Sequence, residues 1–378
     1  MIDFTFTEEQ ELFRKAAREF AETQIAPHVP AMEETGENWE PVIQALGEGE
    51  MMAITIPEEY DGLGLGYIER LIALEEIARI SVATAMMMQV GGLGIAPIIL
   101  FGSEEQKRKY LPGLASGEHF ATVAVTEPGG GSDPKGCRTI YEKQDGNYIL
   151  TGRKCFITNS HIADVLVVMA VDIDDPDTSS TFIIEKGMEG FKPTHIEHKV
   201  GMRGCNTGEI ELHECLVPAE NILGQEGKGM RNALTVISDV GRGGMVGCSL
   251  GLHQACLDEA VKFSKERVLY GKPISHLQAI QFKIADIKIE LEAGRLLGYR
   301  AASIQDAGGR SGNEFAVAKY FTAEAAQRAA KHAADIHGGY GCMDEFVVTR
   351  YLRDSFVLGP SAGTSDIMKV IISRWALS

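Results

Sequence analysis

Two kinds of hydrophobic pattern divide the chain into three segments. In the first, which extends to about residue 120, apolar residues recur at the three- and four-residue spacing that predicts amphipathic helices. Thr7 with Gln10, and Ser103 with Gln106, each have the spacing of a capping box at a helix N-terminus. The pattern therefore predicts an all-helical domain over residues 1–120.

The second segment, residues 121–225, consists of short runs rich in β-branched residues that often alternate with polar ones. Turns rich in Gly, Asp and Asn separate these runs, and no long helical pattern lies between them. This pattern of short, turn-separated runs indicates antiparallel strands in a sandwich or a barrel, and it argues against a doubly wound parallel sheet.

In the third segment, residues 226–378, the helical period returns in four long amphipathic stretches, which predicts a helical bundle. The predicted fold class is therefore α+β and multidomain. It combines an N-terminal all-α domain, a central antiparallel β-barrel or sandwich, and a C-terminal four-helix bundle.

Composition narrows the classes of function. The 378 residues include 36 Lys and Arg against 53 Asp and Glu, a formal charge of −17, so the phosphates of nucleic acid would be repelled overall. The seven cysteines form no C-x-x-C pair, which is typical of reduced thiols in a cytoplasmic protein. The acidic, amphipathic start is neither a signal peptide nor a transit sequence. No apolar run approaches about 18 residues, so no membrane-spanning helix is expected.

Glycine-rich turns occur where a ligand could approach the backbone. The turn "AVTEPGGGSDPKG" ends a predicted strand and offers the hydroxyls of Thr126 and Ser132. Downstream, "CFITNS" places Phe156 close to Thr158. Near the C-terminus, "GPSAGTSDIM" turns at Gly363 into a helix whose first backbone N–H groups are free to hold an electron-rich group. Each motif taken alone also fits an ordinary turn.

Taken together and in this order, the motifs resemble those of the acyl-CoA dehydrogenase family of flavoproteins, and the resemblance covers essentially the whole chain. It is carried by six collinear matches: Thr126-Glu127-Pro128 with Gly131-Ser132-Asp133, Phe156-Ile157-Thr158-Asn159, Arg267 with Gly271 and Gln278, Gly338-Gly339-Tyr340-Gly341, Arg350-Tyr351 with Arg353-Asp354, and Gly363-Thr364-Ser365. The resemblance implies a homotetramer that binds FAD between the β-domain and the bundle. It also implies an acyl-CoA substrate and an electron-transferring flavoprotein as partner.

The resemblance further assigns residues to the two ligands, with Phe156 packing on the isoalloxazine ring. The residues expected to contact FAD, some of them on a neighbouring subunit's FAD, are Val125, Thr126, Ser132, Phe156, Thr158, Arg267, Tyr270, Gln278, Gly338, Gly339, Thr364 and Asp366. The residues expected to contact the acyl-CoA are Gln89, Gly91, Ser132, Asp239, Arg242 and Gly363.

The residue that the resemblance expects as the catalytic base is missing. In the family, the position before Gly363 normally carries a glutamate that removes the proton α to the thioester carbonyl, and some relatives place this base one residue before a bundle arginine. Here these two base positions hold Ala362 and Gly241. The backbone N–H of Ala362 would still donate a hydrogen bond to the thioester oxygen, which stabilises enolate-like charge.

We therefore expect an FAD-dependent oxidoreductase that acts on an alicyclic or already unsaturated acyl-CoA. Conjugation with the thioester makes γ protons acidic, so the base must stand farther from the carbonyl. Family variants of this kind use an aspartate on the pocket wall, whereas residues 86–94 include Gln89 but no acid. Asp239 and Asp366 are the nearest carboxylates in sequence. The adjacent Gly91 and Gly92, beside three methionines, indicate a roomy apolar pocket.

Other interpretations stay open. A base-free, desulfinase-like reaction on a CoA thioester needs a cation that faces the acyl tail, which residues 86–94 lack. A flavin monooxygenase and a non-catalytic FAD-binding scaffold also fit the cofactor motifs. A metal site is not expected, because His195 and His198 lie three apart in an extended segment and would point to opposite faces.

Overall fold

Six α-helices form the N-terminal part of the computed structural model, which describes residues 5–378. They are α1 Glu8–Phe20, α2 Val29–Thr35, α3 Glu40–Glu48, α4 Tyr67–Ile80, α5 Val82–Phe101 and α6 Glu104–Ala115. Both predicted capping boxes are present: Gln10 N donates to Thr7 Oγ1 at 3.1 Å, and Gln106 N donates to Ser103 Oγ at 3.2 Å. These bonds satisfy N–H groups that a helix start leaves free, which fixes where α1 and α6 begin.

Helix α5 is a core helix that its composition alone would not distinguish from a membrane span. Its 20 residues include no charged side chain, and its hydropathy of 1.7 is high enough for a span by length and composition. The expectation that no apolar run approaches this length was therefore wrong. However, 72% of the apolar 18-residue stretch of this helix is buried inside the protein, as expected for a helix enclosed by other elements of a core.

The central domain is one curled sheet of seven strands. These are β1 Ala121–Ala124, β2 Ile140–Gln144, β3 Asn147–Thr158, β4 Val165–Asp172, β5 Ser179–Glu185, β6 Phe191–Ile196 and β7 Thr207–Val217. Their order is β1-β4-β2-β3-β7-β6, and β5 pairs with β4. The prediction of a purely antiparallel sheet is wrong in one respect, because β4 runs parallel to β1 and β2. Neither of those strands is joined to β4 by a hairpin, so no tight turn forces an antiparallel pairing.

A buried ion pair fixes the turn after β1 against β3. Lys154 Nζ lies 2.8 Å from Glu127 Oε1, and both side chains are buried. Burial favours the neutral acid, but the Lys154 ammonium and the hydrogen bonds from Thr139 and Cys137 together outweigh it and hold the pKa of Glu127 at about 2. In addition, Cys155 N donates to Thr126 O at 3.0 Å. The turn that follows β1 is therefore held beside the end of β3.

The C-terminal part is a helical bundle. It contains α7 Gly229–Val236, a π-helical turn Ile237–Gly241, α8 Arg242–Glu266, a short hairpin of β8 Val268–Leu269 and β9 Lys272–Pro273, α9 Gln278–Asp306, α10 Gly312–His337, α11 Val347–Leu358 and α12 Ser365–Leu377. Helix α8 is central, since it contacts α9, α10, α11 and the N-terminal α4. The predicted order of a helical domain, a β-domain and a helical bundle is confirmed.

Candidate functional site

The turn between α11 and α12 keeps a fixed backbone shape although its central residue is alanine. Ala362 has a left-handed backbone, with φ of 51°, and Gly363 follows with φ of 96°. A left-handed conformation costs an L-residue about 1–2 kcal/mol, so the surrounding contacts must hold it. Thr364 then caps α12, because its Oγ1 accepts a hydrogen bond from Ile367 N at 3.2 Å.

A buried lysine holds both ends of this turn. Lys319 Nζ, on α10, donates to Gly359 O at 2.6 Å and to Gly363 O at 2.7 Å. The side chain is fully buried, and this burial lowers the pKa of Lys319 to about 8. The sequence analysis missed this residue, and no signal in α10 singles it out, because the helix also contains Arg328 and Lys331.

The two base positions lie next to each other. Gly241 ends the π-helical turn, and a Cβ atom added there would lie 3.7 Å from Ala362 Cβ and 3.4 Å from Leu93 Cδ2. π-Helical turns are frequent at functional sites. A side chain on either position would thus enter the same space, and that space borders an apolar cluster whose buried members are Leu93, Ala96, Val236 and Val240.

Neither of the carboxylates that lie nearest in sequence is directed at Ala362. Asp239 lies two residues before Gly241, and side chains two apart on a helical turn do not share a face. Its Oδ1 instead lies 3.3 Å from the place that a Cβ on Gly312 would occupy, and burial raises its pKa. The Asp366 side chain is 89% exposed and pairs with Lys369 at 3.3 Å, so the structure does not bring Asp366 to the base positions.

Arg242, the arginine that follows Gly241, is held on the side of the π-helical turn that faces α10. Its Nη1 donates to Gly312 O at 2.9 Å and to Ser238 Oγ at 3.2 Å. Burial lowers its pKa. Its Nε is buried and has no hydrogen-bond partner among the described residues, which leaves one donor of the guanidinium available to a ligand.

Gln89 reaches the base positions from the wall formed by α5. Its side chain is fully buried, and its Nε2 donates to Gly241 O at 3.0 Å. A residue that the sequence analysis missed stands behind it: Arg70 Nη2 donates to Gln89 O at 3.2 Å and also to Gln89 Oε1. No signal in the sequence singles out Arg70, because α4 also contains Arg79 and three glutamates.

The adjacent glycines of α5 do not widen the space beside Ala362. A Cβ on Gly91 would lie 2.4 Å from Met52 Cε, and a Cβ on Gly92 would lie 2.7 Å from Arg70 Nη2. The room that the two glycines leave is therefore filled by Met52 and Arg70.

The residues expected at the flavin ring form an open platform at the end of β3. Phe156 has a left-handed backbone, with φ of 57°, and is 64% exposed. Thr126 lies beside it through the Cys155–Thr126 backbone bond. Thr158 is close to Thr207, with their hydroxyl oxygens 3.4 Å apart. An exposed aromatic ring beside hydroxyl groups suits a flat heteroaromatic ligand with polar edges, so these residues fit the isoalloxazine of FAD.

Two more of the expected residues belong to the turn that borders this platform. Val125 O accepts a hydrogen bond from Lys154 Nζ at 3.3 Å, so this carbonyl already has a partner within the protein. Ser132 lies exposed in the turn.

The remaining residues expected at FAD lie together at an outer end of the bundle. Arg267, Tyr270 and Gln278 are exposed around the hairpin of β8 and β9. The Arg267 guanidinium lies over the Tyr340 ring, 5.6 Å from its centre, which joins the hairpin to the glycine pair after α10. A Cβ added to Gly338 or Gly339 would meet nothing within 4 Å, so the backbone of this pair is open to a ligand.

His195 and His198 do not form part of a metal cluster. Their rings are 6.3 Å apart, because β6 ends at Ile196 and His198 lies beyond the strand. The argument that they point to opposite faces of a strand was therefore wrong. Within residues 5–378, no group of three or more His, Cys, Asp or Glu side chains could hold a metal ion.

Comparison with known proteins agrees with this arrangement. Models of the acyl-CoA dehydrogenase N-terminal, middle and C-terminal domains match residues 7–118, 122–215 and 227–377. An acyl-CoA dehydrogenase of Bacillus subtilis (strain 168) is 41% identical over 98% of both chains. The caffeyl-CoA reductase-Etf complex subunit CarC of Acetobacterium woodii is 38% identical over 98% of this chain and 99% of that one. The structure of butyryl-CoA dehydrogenase from Megasphaera elsdenii superposes with a TM-score of 0.96 at 35% identity, covering all of both chains.

Proposed function

This chain belongs to the acyl-CoA dehydrogenase family and is an FAD-dependent oxidoreductase that acts on CoA thioesters, and we propose that its substrate is an alicyclic or already unsaturated acyl-CoA. The proton would leave from a carbon other than the one next to the carbonyl. Bound FAD supplies the acceptor for the hydride.

One observation carries this proposal: both base positions converge, and both are empty of carboxylate. Ala362 and Gly241 share one space, and Asp239 and Asp366 are directed elsewhere. A positioned general base contributes about 10²–10⁴-fold to a proton transfer. The ordinary removal of an α proton from a saturated acyl chain therefore lacks its main catalyst, while a conjugated substrate offers an acidic proton farther away.

The chain's own residues would bind and orient the thioester. The backbone N–H of Ala362 donates to the thioester oxygen and stabilises the charge that develops there, and Lys319 keeps that N–H in place through Gly359 and Gly363. Phe156, Thr126 and Thr158 hold the flavin ring. Arg242 offers its free Nε to the acyl-CoA.

We further propose that the active form is an oligomer, with homotetramer as the expected state. Helix α9 exposes an apolar stripe at a spacing of seven residues, formed by Phe282 at 62%, Ile289 at 66% and Leu296 at 53% exposure. A stripe of this period on a long helix is suited to packing against another helix. The exposed group around Arg267 and Gly338 would then contact the FAD of a neighbouring subunit.

Two further assignments belong to the same proposal. The Acetobacterium woodii relative is a subunit of a reductase-Etf complex, which supports an electron-transferring flavoprotein as the redox partner. A cytoplasmic location is supported by the seven cysteines, all of which are free thiols.

Deuterium exchange tests the position of proton removal. The protein is incubated anaerobically in D₂O with a cyclic 2-enoyl-CoA and, separately, with butyryl-CoA, and deuterium is located by NMR. The proposal predicts deuterium at the γ carbon of the enoyl group and none at the α carbon of butyryl-CoA within the same time. Rapid α-deuteration of butyryl-CoA would contradict it.

A further inference from the structure

Arg70 is a buried cation without an acidic partner. Its side chain is 5% exposed, and within residues 5–378 no carboxylate oxygen lies within 4 Å of it. Of the two lysines that are as deeply buried, Lys154 is paired with Glu127, whereas Lys319 has no carboxylate partner and donates to the carbonyl groups of Gly359 and Gly363. An unpaired buried charge is unfavourable for folding, so a negative charge that forms on a ligand near Arg70 would be stabilised by it.

Glycines on two helices make room for the pair that Arg70 forms with Gln89. A Cβ on Gly92 of α5 would lie 2.7 Å from Arg70 Nη2, and a Cβ on Gly244 of α8 would lie 1.5 Å from Gln89 Oε1. No residue with a side chain could occupy position 244 without displacing Gln89. The surrounding helices are thus shaped around these two side chains.

The guanidinium orients the Gln89 amide toward the base positions. Arg70 donates to Gln89 Oε1, so the amide nitrogen must point the other way, where it donates to Gly241 O at 3.0 Å. Gly241 in turn faces Ala362. Hydrogen bonds in such a chain polarise one another, and inside a protein little solvent screens the charge.

The immediate surroundings of Arg70 supply no counter-charge. The titratable groups that face it are Tyr67 on α4 and Cys248 on α8. Burial raises the pKa of the Tyr67 hydroxyl and raises that of the Cys248 thiol to about 12, so both are neutral at pH 7. The cavity beside the guanidinium, which is also lined by Phe315, has a volume of about 10 Å³, enough for about one water molecule and too small for a substrate carboxylate.

We propose that Arg70 is a positioning residue that acts through Gln89 to stabilise the negative charge of a deprotonated acyl thioester beside Gly241 and Ala362. This inference rests on the proposed function. With no enzyme carboxylate at the base positions, the positive field of Arg70 is not cancelled by an acid of this chain, and it is available to an enolate or a dienolate of the substrate.

The experiment measures the pKa of a bound ligand. Acetoacetyl-CoA has an acidic C2 proton, and the absorbance of its enolate is followed against pH in the complex with the FAD-loaded protein, the proton leaving to solvent. Arg70→Met removes the charge at similar length, and Arg70→Lys keeps it. Gln89→Leu keeps Arg70 and removes the side-chain amide through which Arg70 is proposed to act. Arg79→Met is the matched control, because Arg79 lies on the same helix and pairs with Asp258 at 2.7 Å.

The pKa of the bound ligand is expected to rise by about one unit or more in Arg70→Met, the size that Coulomb's law gives for a poorly screened charge separated by one amide group. It should rise less in Gln89→Leu, least in Arg70→Lys, and not at all in Arg79→Met. A merely structural role would weaken binding but leave the ligand pKa unchanged in Arg70→Met, and that result overturns the inference.

Two further outcomes also decide. If Arg70→Met does not fold, an unchanged ligand pKa in Gln89→Leu overturns the inference and a raised one supports it. If the wild-type protein binds no CoA thioester at all, the proposed function fails and the inference falls with it. If the wild type binds the ligand in its ionised form and the pKa of the bound ligand is unchanged in Arg70→Met, the inference alone is wrong.

Discussion

A Cβ atom on Gly241 would lie 3.7 Å from the Cβ atom of Ala362. These residues belong to different elements, one to the π-helical turn before α8 and the other to the turn before α12, yet they enclose one space. The loss of a carboxylate from one position is therefore not compensated at the other. The backbone around them is retained, since Ala362 keeps its left-handed conformation and Lys319 still holds the turn.

A carboxylate placed at position 362 should restore the α,β-dehydrogenation of saturated acyl-CoA substrates. Ala362→Glu is expected to raise the rate of flavin reduction by butyryl-CoA by about 10²–10⁴-fold, the contribution of a positioned base. The rate is measured from the loss of flavin absorbance after anaerobic mixing. The matched control is Ser361→Glu, which places the same charge one residue earlier, where Ser361 Oγ bonds Val357 O at 2.7 Å. Equal rates in both variants would mean that the acyl group does not lie against residue 362.

Lys319 should make the free energy of unfolding depend on pH in the alkaline range. Its pKa is about 8 in the folded chain and about 10.4 in an unfolded one. Between these values the unfolded chain binds one more proton, so this lysine adds stability as the pH rises, by about 1.4 kcal/mol per pH unit, and that stability is lost as the pH falls through 8.

Lys319→Met should remove this slope from the free energy of unfolding, measured with urea at several pH values. Lys331→Met is the control on the same helix, since Lys331 is exposed and pairs with Asp335 at 2.6 Å. The same slope in Lys319→Met as in the wild type would contradict the assignment. The variant should also bind CoA thioesters more weakly, because two carbonyl groups of the turn lose their donor.

Phe156 should govern retention of FAD. Its ring is exposed beside the hydroxyl-bearing Thr126 and Thr158, and burying a large aromatic surface favours binding. Phe156→Ala is expected to lower the FAD content per chain after gel filtration, whereas Phe156→Trp should retain it. Leu216→Ala, another exposed apolar residue of the β-domain, serves as control. If Phe156→Ala keeps its full FAD content, the platform at the end of β3 does not hold the ring.

The apolar stripe on α9 should mediate self-association. Ile289→Arg places a charge in the middle of the stripe and is expected to shift the mass in light scattering to a smaller species, since a buried unpaired charge opposes association. FAD content should fall with it, because the Arg267 group would no longer reach a neighbour's cofactor. Ile173→Arg, at an exposed apolar residue of the β-domain, should change neither quantity. An unchanged mass in Ile289→Arg would contradict the stripe as an interface.

Local features of this structure could be predicted from sequence, while features that depend on distant contacts could not. The capping boxes at Thr7 and Ser103 were predicted because both partners of each bond lie within four residues. The order of helical and β segments follows from periodicity in the same way. The parallel pairing of β4 depends on strands that are distant in sequence, and periodicity carries no information about it.

The same difference between local features and features that depend on distant contacts applies to the site. Family motifs led to Ala362 and Gly241, but only the structure shows that the two share one space. Arg70 and Lys319 escaped notice because arginine and lysine are usually solvated, and the burial of these two side chains depends on neighbouring helices. Gly91 was expected to open the pocket, yet Met52 from another segment fills that room.

The most direct test of the central claim is anaerobic mixing of the wild-type protein with two CoA thioesters. We predict that a cyclic 2-enoyl-CoA bleaches the flavin, while butyryl-CoA, which is saturated and unbranched, bleaches it slowly or not at all. Rapid bleaching by butyryl-CoA would contradict the account, because it would require an efficient base at the α carbon that Ala362 and Gly241 cannot supply.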